Sequence, residues 1–158
     1  MKKVNLNSLK EVEHKSPKGR FNTIYRNIAA AFRRKAAGPS LPGRPPFEVE
    51  HVRVPPGARN FPFHSHSAEW EFYLIVSGNG TVRAGEKRSK IRPGDCLMCP
   101  PGEPHQLINN GDEDLVYYVV ADNAPTDFWY YPDSGKFGAR SLRKFFRLQE
   151  TSYWDGEE

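Results

Sequence analysis

Three histidines and a glutamate, gathered in two separate stretches of the chain, have the residue types and the spacing of one metal site. They are His64, His66, Glu71 and His105. His64 and His66 are two residues apart, so on a β-strand both side chains point to the same face. Neutral imidazoles and a carboxylate suit borderline divalent ions, so the set predicts a site for Zn, Fe, Mn, Ni or Co. Glu69 is the rival carboxylate, but it falls in the expected turn after His66, and we prefer Glu71.

The four side chains can meet only if the two stretches are neighbours in the fold. Glu71 lies in a strongly β-prone run, Trp70–Val76, in which residues 71, 73 and 75 share one face. His105 follows the turn Pro100-Pro101-Gly102, at the start of its own short strand. Neighbouring strands of one barrel would bring these ligands to a common point inside it.

The sequence around these residues predicts an all-β sandwich or barrel. Abundant turn formers, 13 Gly and 14 Pro, favour many short strands over long helices. The strand-like runs have no helical pattern between them. They are Phe47–Val54, Trp70–Val76, Gly80–Ala84, Lys90–Arg92, Asp95–Cys99, His105–Asn109 and Leu115–Ala121.

A chain of 158 residues is long enough for one domain with a substantial core. Residues 47–121 are predicted to form the barrel, residues 1–46 an N-terminal arm and residues 122–158 a C-terminal extension. Apolar residues of the arm recur at helical spacing and predict a short helix that packs on its own domain. These residues are Phe21, Ile24, Tyr25, Ile28 and Phe32. The stretch from Arg33 to Pro46 is rich in Pro and Gly and is typical of a linker.

The aromatic run of the C-terminal extension, Phe128–Tyr131, is expected to pack on the outside of the barrel or at an oligomer contact. Cys96 and Cys99 are too few for a disulfide framework. Their spacing in a strand points them to opposite faces, and we expect buried thiols.

Charge and hydrophobicity indicate which partners to expect. The net charge is +4, but the basic residues are scattered and accompany no nucleic-acid-binding motif, so we expect a solvated surface and no nucleic acid. No apolar run reaches about 18 residues, and we expect no membrane span. The first residues lack the apolar stretch of a signal peptide, so a cytoplasmic protein is expected.

The second stretch closely resembles the second motif of the cupin superfamily. That motif is a Gly, five residues, Pro-x-Gly, two residues, His, three residues and Asn. Every position is filled here, by Gly94, Pro100, Gly102, His105 and Asn109. From this chain's own composition, such a match arises by chance on the order of once in ten thousand. The first cupin motif is matched by His64, His66, Glu71 and Gly78, although Gly57 precedes it by one residue more than usual.

The resemblance covers about residues 47–121 and implies a double-stranded β-helix, a small jelly-roll barrel. It also implies a metal held by the four ligands named above, and often a homodimer. The motif glycines, Gly78, Gly94 and Gly102, are expected in turns that need a positive φ. Asn109 is expected to support the barrel. His14 and His51 have no partners in sequence and are expected to be ordinary surface or strand histidines.

Three kinds of function fit a four-ligand site that keeps open coordination positions. The first is an enzyme, either an oxygenase or an isomerase or epimerase in which the ion polarises a carbonyl. The second is a non-catalytic protein that binds or senses a sugar-like or aromatic small molecule, and the third is a storage or structural role. An isomerase needs an acid–base residue beyond the ligands, and Tyr73, on the face of Glu71, is the candidate catalytic residue. Phe61 and Phe63 would suit a ring or sugar face and would equally suit core packing. We prefer an enzyme of undetermined activity.

Overall fold

Antiparallel strands form nearly all of the regular structure in the residues that the computed structural model describes, 1–33 and 45–158. Two short 3-10 helices, Leu6–Ser8 and Ala29–Phe32, accompany them. The strands are β1 (Val12–Lys15), β2 (Asn22–Asn27), β3 (Phe47–Val54), β4 (Ser65–His66), β5 (Glu71–Ser77), β6 (Gly80–Ala84), β7 (Lys87–Ile91), β8 (Cys96–Cys99), β9 (His105–Ile108), β10 (Leu115–Asp122), β11 (Phe128–Tyr131), β12 (Lys136–Ala139) and β13 (Lys144–Phe146). No helix in these residues has the length and hydrophobicity to cross a membrane.

The strands form three sheets, which confirms the predicted all-β class. The largest has the order β1-β2-β3-β10-β5-β8, and the two smaller ones have the orders β13-β12-β11-β4 and β7-β6-β9. The non-sequential order of the large sheet, with β10 between β3 and β5, is that of a barrel closed by crossing connections. β3 and β6 have the predicted bounds, and the other predicted strands shift by a few residues at their ends.

One apolar core fills the space between the large sheet and the β7-β6-β9 sheet. Alternate residues of β3 and β10 point into it, since side chains of a strand alternate between its two faces. Val54 and Leu115, at 0% exposure, lie opposite each other on these two strands. Leu107 of β9, also 0% exposed, belongs to the same cluster from the facing sheet. The apolar core therefore fills one part of the barrel, and the polar residues of the candidate site lie next to it.

The helix predicted over Phe21–Phe32 is wrong for most of its length. Residues 22–27 form β2, which pairs with β1 on one side and β3 on the other, and only residues 29–32 turn, as a 3-10 helix. A short isolated helix is only marginally stable in water. As a strand, this segment forms backbone hydrogen bonds with both β1 and β3. Tyr25, as a residue of β2, packs against the barrel core. Residues 34–44 of the predicted linker lie outside the described part of the chain.

The motif glycines have the predicted backbone conformation. Gly78, Gly94 and Gly102 have φ values of 75°, 90° and 84°. At Gly78 a Cβ atom would also lie 2.3 Å from the carbonyl oxygen of Asp114, so a side chain is excluded there on two grounds. Asn109 is fully buried and its Nδ2 donates to the Val54 carbonyl at 2.7 Å, which confirms its supporting role in the barrel.

The two cysteines point to opposite faces of β8, as predicted, and both are free. Cys99 is buried, but the prediction of a buried thiol is wrong for Cys96, which is exposed. The reason is that β8 is an edge strand, whose outer face is uncovered in the described residues.

Candidate metal centre

The fold brings together the two stretches that carry the candidate ligands. His64 and His105 face each other in an antiparallel bridge, in which the His105 N–H donates to the His64 carbonyl at 2.8 Å. His66 ends β4 and Glu71 begins β5, with only a short bend between them. All four side chains therefore project from the ends of strands toward the same end of the barrel.

Three of the four side chains predicted from the sequence lie close together, and the fourth, His105, contacts one of them. Ligand atoms of His64, His66 and Glu71 all lie within 4.8 Å of each other. His105 joins this group through Glu71, since its Nε2 is 2.7 Å from Glu71 Oε2. His66 Nε2 is 3.4 Å from the same carboxylate oxygen. One carboxylate oxygen is thus shared by two imidazole nitrogens, an arrangement into which a cation would fit.

Each of the three imidazoles is oriented by an oxygen acceptor at its Nδ1 atom. His64 Nδ1 is 2.8 Å from the Pro62 carbonyl and His105 Nδ1 is 3.1 Å from the Glu103 carbonyl. His66 Nδ1 is 2.7 Å from a carboxylate oxygen of Asp127. Carbonyl and carboxylate oxygens only accept, so each Nδ1 carries a proton and donates it. The neutral form of each ring then presents Nε2 as its free ligand atom.

His66 Nε2 is a buried nitrogen without a hydrogen-bond partner in the described residues. Such an atom is costly unless something else occupies its lone pair. A divalent cation would satisfy it, and the mixed imidazole and carboxylate donor set suits a borderline ion. The residues present therefore fit the metal that the two motifs predict.

The electrostatics of the cluster favour positive charge at its centre. Burial would raise the pKa of Glu71, but the hydrogen bond from His105 and the nearby His66 ring hold it well below its usual range, so this carboxyl is ionised at neutral pH. Burial would also lower the pKa of His66, but the hydrogen bond to Asp127 and the nearby carboxylate of Glu71 raise it to about 9. Burial, aided by the charge of His105, lowers the pKa of His64 to about 4, so this ring is neutral at pH 7. The ionised Glu71 thus attracts cations, either protons or a metal.

A second group of carboxylates lies behind His66, on the side of its Nδ1 atom. Ligand atoms of His66, Glu69 and Asp127 lie within 4.8 Å of one another, and all three residues are buried. Arg140 donates to a carboxylate oxygen of Glu69 and supplies the positive charge for this group. Glu69 thus lies in the bend after His66, as predicted, and is engaged by an arginine. Sequence reasoning missed Asp127 and Arg140, because nothing local links the C-terminal extension to β4.

Tyr73 lies behind the candidate ligands and does not line the cavity in front of them. Its hydroxyl donates to Glu71 Oε2 at 3.1 Å and is 3.3 Å from His105 Nε2. Burial and the charge of Glu71 raise its pKa well above the usual range. The catalytic role predicted for Tyr73 stays a prediction, and its contacts favour holding the two ligands in place.

A cavity of about 430 Å³ opens onto three of the candidate ligands, His64, His66 and Glu71. One of its walls is aromatic and comes from the C-terminal extension. Trp129, Tyr131 and Phe145 form this aromatic wall, with the Lys136 ammonium 4.5 Å from the centre of the Tyr131 ring. Tyr131 also stacks on the His64 ring, with centroids 5.8 Å apart.

The expected packing of the extension aromatics on the outside of the barrel, or at an oligomer contact, is therefore wrong for Trp129 and Tyr131. β11 pairs directly with β4, so that Trp129 lies opposite His66 in the ladder. This pairing places the aromatic side chains over the ligands instead of on an outer face. Phe61 and His14 also line the cavity, whereas Phe63 is buried under the Arg83 guanidinium.

An acidic wall of the same cavity comes from β3. Its inward face carries Glu48 and Glu50 at the mouth and Val52 and Val54 in the core. Glu50 Oε1 accepts a hydrogen bond from Asn27 Nδ2 at 2.9 Å, and no cation among the described residues pairs with it. Burial, with the charge of Glu48, raises the pKa of Glu50 to about 7. This carboxyl therefore exchanges a proton near neutral pH, and only the barrel geometry could identify it.

The raised pKa of Glu50 predicts a stability that depends on pH. A carboxyl whose pKa is higher in the folded state contributes stability that is fully present below about pH 4.5 and is lost as the pH rises through about 7. Glu50→Gln should therefore match the wild type near pH 4.5 and exceed it by roughly 1–3 kcal/mol at pH 8, since one pKa unit is about 1.4 kcal/mol.

The measurement is urea unfolding of the metal-free protein at several pH values. Glu86→Gln, on the exposed turn between β6 and β7, is the matched control. A Glu50→Gln advantage that is the same at pH 4.5 and pH 8 would contradict the proton exchange assigned to this carboxyl.

Comparison with known proteins agrees with this geometry. The family profile described as "Cupin domain" matches residues 50–121. Residues 50–121 form a domain of the cupin superfamily. This domain holds all four candidate ligands and most of the core strands, and residues outside it add the aromatic wall and Asp127.

Individual relatives carry different descriptions. The chain is 33% identical over 69 residues to an oxalate-binding protein of Thermotoga maritima, over 44% of this chain and 56% of the relative. It is 29% identical over 129 residues to auxin-binding protein 1 of Arabidopsis thaliana, over 75% of this chain and 61% of the relative. The chain thus spans less than two thirds of either curated relative.

A solved structure covers nearly the whole chain. It is a cupin-superfamily protein described as a sugar phosphate isomerase, from Silicibacter pomeroyi. The TM-score is 0.75 and the identity 25%, over 96% of this chain and 98% of that one. The similarity thus extends over the N-terminal strands and the C-terminal extension as well as the barrel.

Proposed function

We propose that this cupin is a metal-dependent enzyme that isomerises a small polyhydroxylated carbonyl compound, such as a sugar or a sugar phosphate. Its metal would be held by His64, His66, Glu71 and His105. The observation that carries the proposal is the orientation of the three imidazoles, whose Nδ1 protons are all engaged by oxygen acceptors. Their Nε2 atoms are thereby left for a cation beside the ionised Glu71.

The metal and the cavity would share the chemistry. When bound, a divalent ion would polarise the carbonyl oxygen of the substrate. The aromatic wall would cover one face of the substrate and exclude water from it. Lys136, at the mouth, would suit an anionic group such as a phosphate.

Glu50 supports the isomerase reaction class. Isomerisation moves a proton from the carbon beside the carbonyl to the carbonyl carbon, and a second proton moves from the neighbouring hydroxyl to the carbonyl oxygen, with no net gain or loss of protons or electrons. One group can accept and then return the carbon-bound proton, and its ideal pKa lies near the working pH. Glu50 lines the substrate cavity, and in the metal-free protein burial raises its pKa to about 7, which matches this requirement.

The description of the Silicibacter pomeroyi protein as a sugar phosphate isomerase supports the same reaction class. Its similarity reaches the C-terminal extension, which in this chain forms the aromatic wall of the cavity. The metal and the sugar are not fixed by this likeness, so the test must vary both.

The test is hydrogen exchange in deuterated water. Metal-free protein is loaded in turn with Fe, Mn, Co, Ni and Zn and incubated with a panel of aldoses, ketoses and their phosphates. We expect NMR to detect both the isomerised product and deuterium beside the carbonyl for at least one metal and one substrate pair. Absence of exchange for every combination, in protein shown to hold the metal, would remove the isomerase proposal.

A non-catalytic binding protein is the second candidate. The relative described as an oxalate-binding protein, and the aromatic wall, which needs no catalytic group, favour it. Calorimetric titration with the same panel plus oxalate separates the two functions. Tight binding without deuterium incorporation would favour the binding protein. A separate measurement of oxygen uptake by the iron-loaded protein tests the oxygenase predicted from the open coordination positions, and uptake would favour it.

We further propose the homodimer expected from the sequence, through the outer face of β10, β5 and β8. Val120, Phe72 and Met98 lie side by side across these three strands, and Leu74 and Val76 extend the apolar face. Val76 is 44% exposed and Met98 is 55% exposed. An exposed apolar sheet face of this kind favours association of two copies of the chain. Light scattering should give twice the chain mass.

A cytoplasmic location stays a proposal from the sequence.

A further inference from the structure

We propose that Asp127 is a positioning residue for metal binding, whose carboxylate keeps the proton of His66 on Nδ1 so that Nε2 binds the metal. The inference rests on the metal site of the proposed function, but not on the reaction. It makes the C-terminal extension, which lies outside the matched cupin domain, a part of the metal centre.

His66 depends on Asp127 in a way that the other two histidines do not. His64 and His105 each donate Nδ1–H to a backbone carbonyl two residues earlier, from Pro62 and Glu103. His66 donates instead to a side chain 61 residues later in the chain. Its orientation is therefore set by tertiary structure, and a single substitution can remove its acceptor.

Asp127 is itself held in one orientation. Its side chain is 1% exposed, and its Oδ2 is 2.7 Å from His66 Nδ1. Its Oδ1 accepts the backbone N–H of Ala68 at 3.1 Å and the hydroxyl of Ser67 at 3.3 Å. Both donors come from the bend directly after His66, so the carboxylate joins the ligand to its own loop. A carboxylate fixed in this way orients a ligand histidine and raises its basicity.

This geometry predicts what an asparagine would do at position 127. The amide oxygen would keep the place of Oδ1, because Ala68 and Ser67 both donate there. The amide N–H₂ group would then face Nδ1 of His66, and two donors would meet. The ring avoids this by moving its proton to Nε2, which removes the lone pair that the metal needs.

The experiment compares Asp127→Asn with Asp133→Asn in the zinc-loaded protein. Asp133 lies on the same extension, is paired with Arg83 and touches none of the candidate ligands. Zinc affinity is measured by competition with a chromophoric chelator, and ¹⁵N NMR reports which nitrogen of His66 carries the proton. We expect a roughly 10–100-fold loss of affinity for Asp127→Asn and no change for Asp133→Asn. In the wild type we expect an Nδ1 proton on zinc-bound His66.

Each outcome decides the matter. Wild-type protein that binds no zinc overturns both this inference and the metal site. Zinc binding that Asp127→Asn leaves unchanged overturns this inference alone. If the variant does not fold, the wild-type spectrum remains decisive, because zinc bound through Nδ1 of His66 would make Asp127 a ligand or a bystander and would overturn the positioning role. A loss of folding stability alone would move neither the zinc affinity of the folded protein nor the position of the proton.

Discussion

Replacing His105 or His66 with alanine is expected to strip most of the bound metal while the barrel stays folded. Each ring supplies an Nε2 atom next to Glu71, at 2.7 Å for His105 and 3.4 Å for His66. Loss of a ligand should reduce the affinity by more than the roughly 10–100-fold that loss of an outer partner causes. The ionised Glu71 would also lose one of the two rings that lower its pKa.

Elemental analysis after dialysis against a limiting chelator measures this effect, and far-UV circular dichroism checks the fold. His51→Ala is the matched control, because His51 lies on β3 against Tyr118 and away from the ligands. Metal content at the wild-type level in either ligand variant would remove that residue from the site.

Replacing Glu50 with glutamine is expected to slow isomerisation by roughly 10²- to 10⁴-fold, the usual contribution of a general acid–base group. Glutamine keeps the size of the side chain and can still accept a hydrogen bond from Asn27, but it cannot take up a proton. Glu50 is not among the candidate ligands, so the metal affinity should stay close to that of the wild type. The combination of a lost rate and a retained metal separates a catalytic role from a structural one.

Glu86→Gln, on the exposed turn between β6 and β7, is the control for this substitution, since Glu86 does not line the cavity. Deuterium exchange is measured for both variants with the best substrate of the panel. A Glu50→Gln rate equal to the wild-type rate would mean that another group moves the proton.

The local parts of this structure could be predicted from the sequence. β3 and β6 are predicted with their observed bounds, because alternating and β-prone residues between clear turns determine them. The four candidate ligands are also predicted, because their spacing places each at a strand end or in an adjacent turn. Gly78 needs a positive φ whatever surrounds it, and a local rule is sufficient for such a position.

The tertiary parts could not be predicted. The apolar spacing in residues 21–32 suits a helix, yet pairing with β1 and β3 on both sides makes most of this segment a strand. Asp127 and Tyr131 reach the site only because β11 pairs with β4, and no local pattern in either segment specifies that partner. Glu50 looks like an ordinary charge of a half-exposed strand until β10 and β5 place its face inside the barrel.

The most direct test of the metal centre is anomalous diffraction from crystals of the protein loaded with a single metal. At the absorption edge of that metal we expect one peak, bonded to Nε2 of His64, His66 and His105 and to a carboxylate oxygen of Glu71. For zinc the distances should be roughly 2.0–2.2 Å. A map without a peak among these four groups, or with its peak between Glu69 and Asp127, would contradict the account.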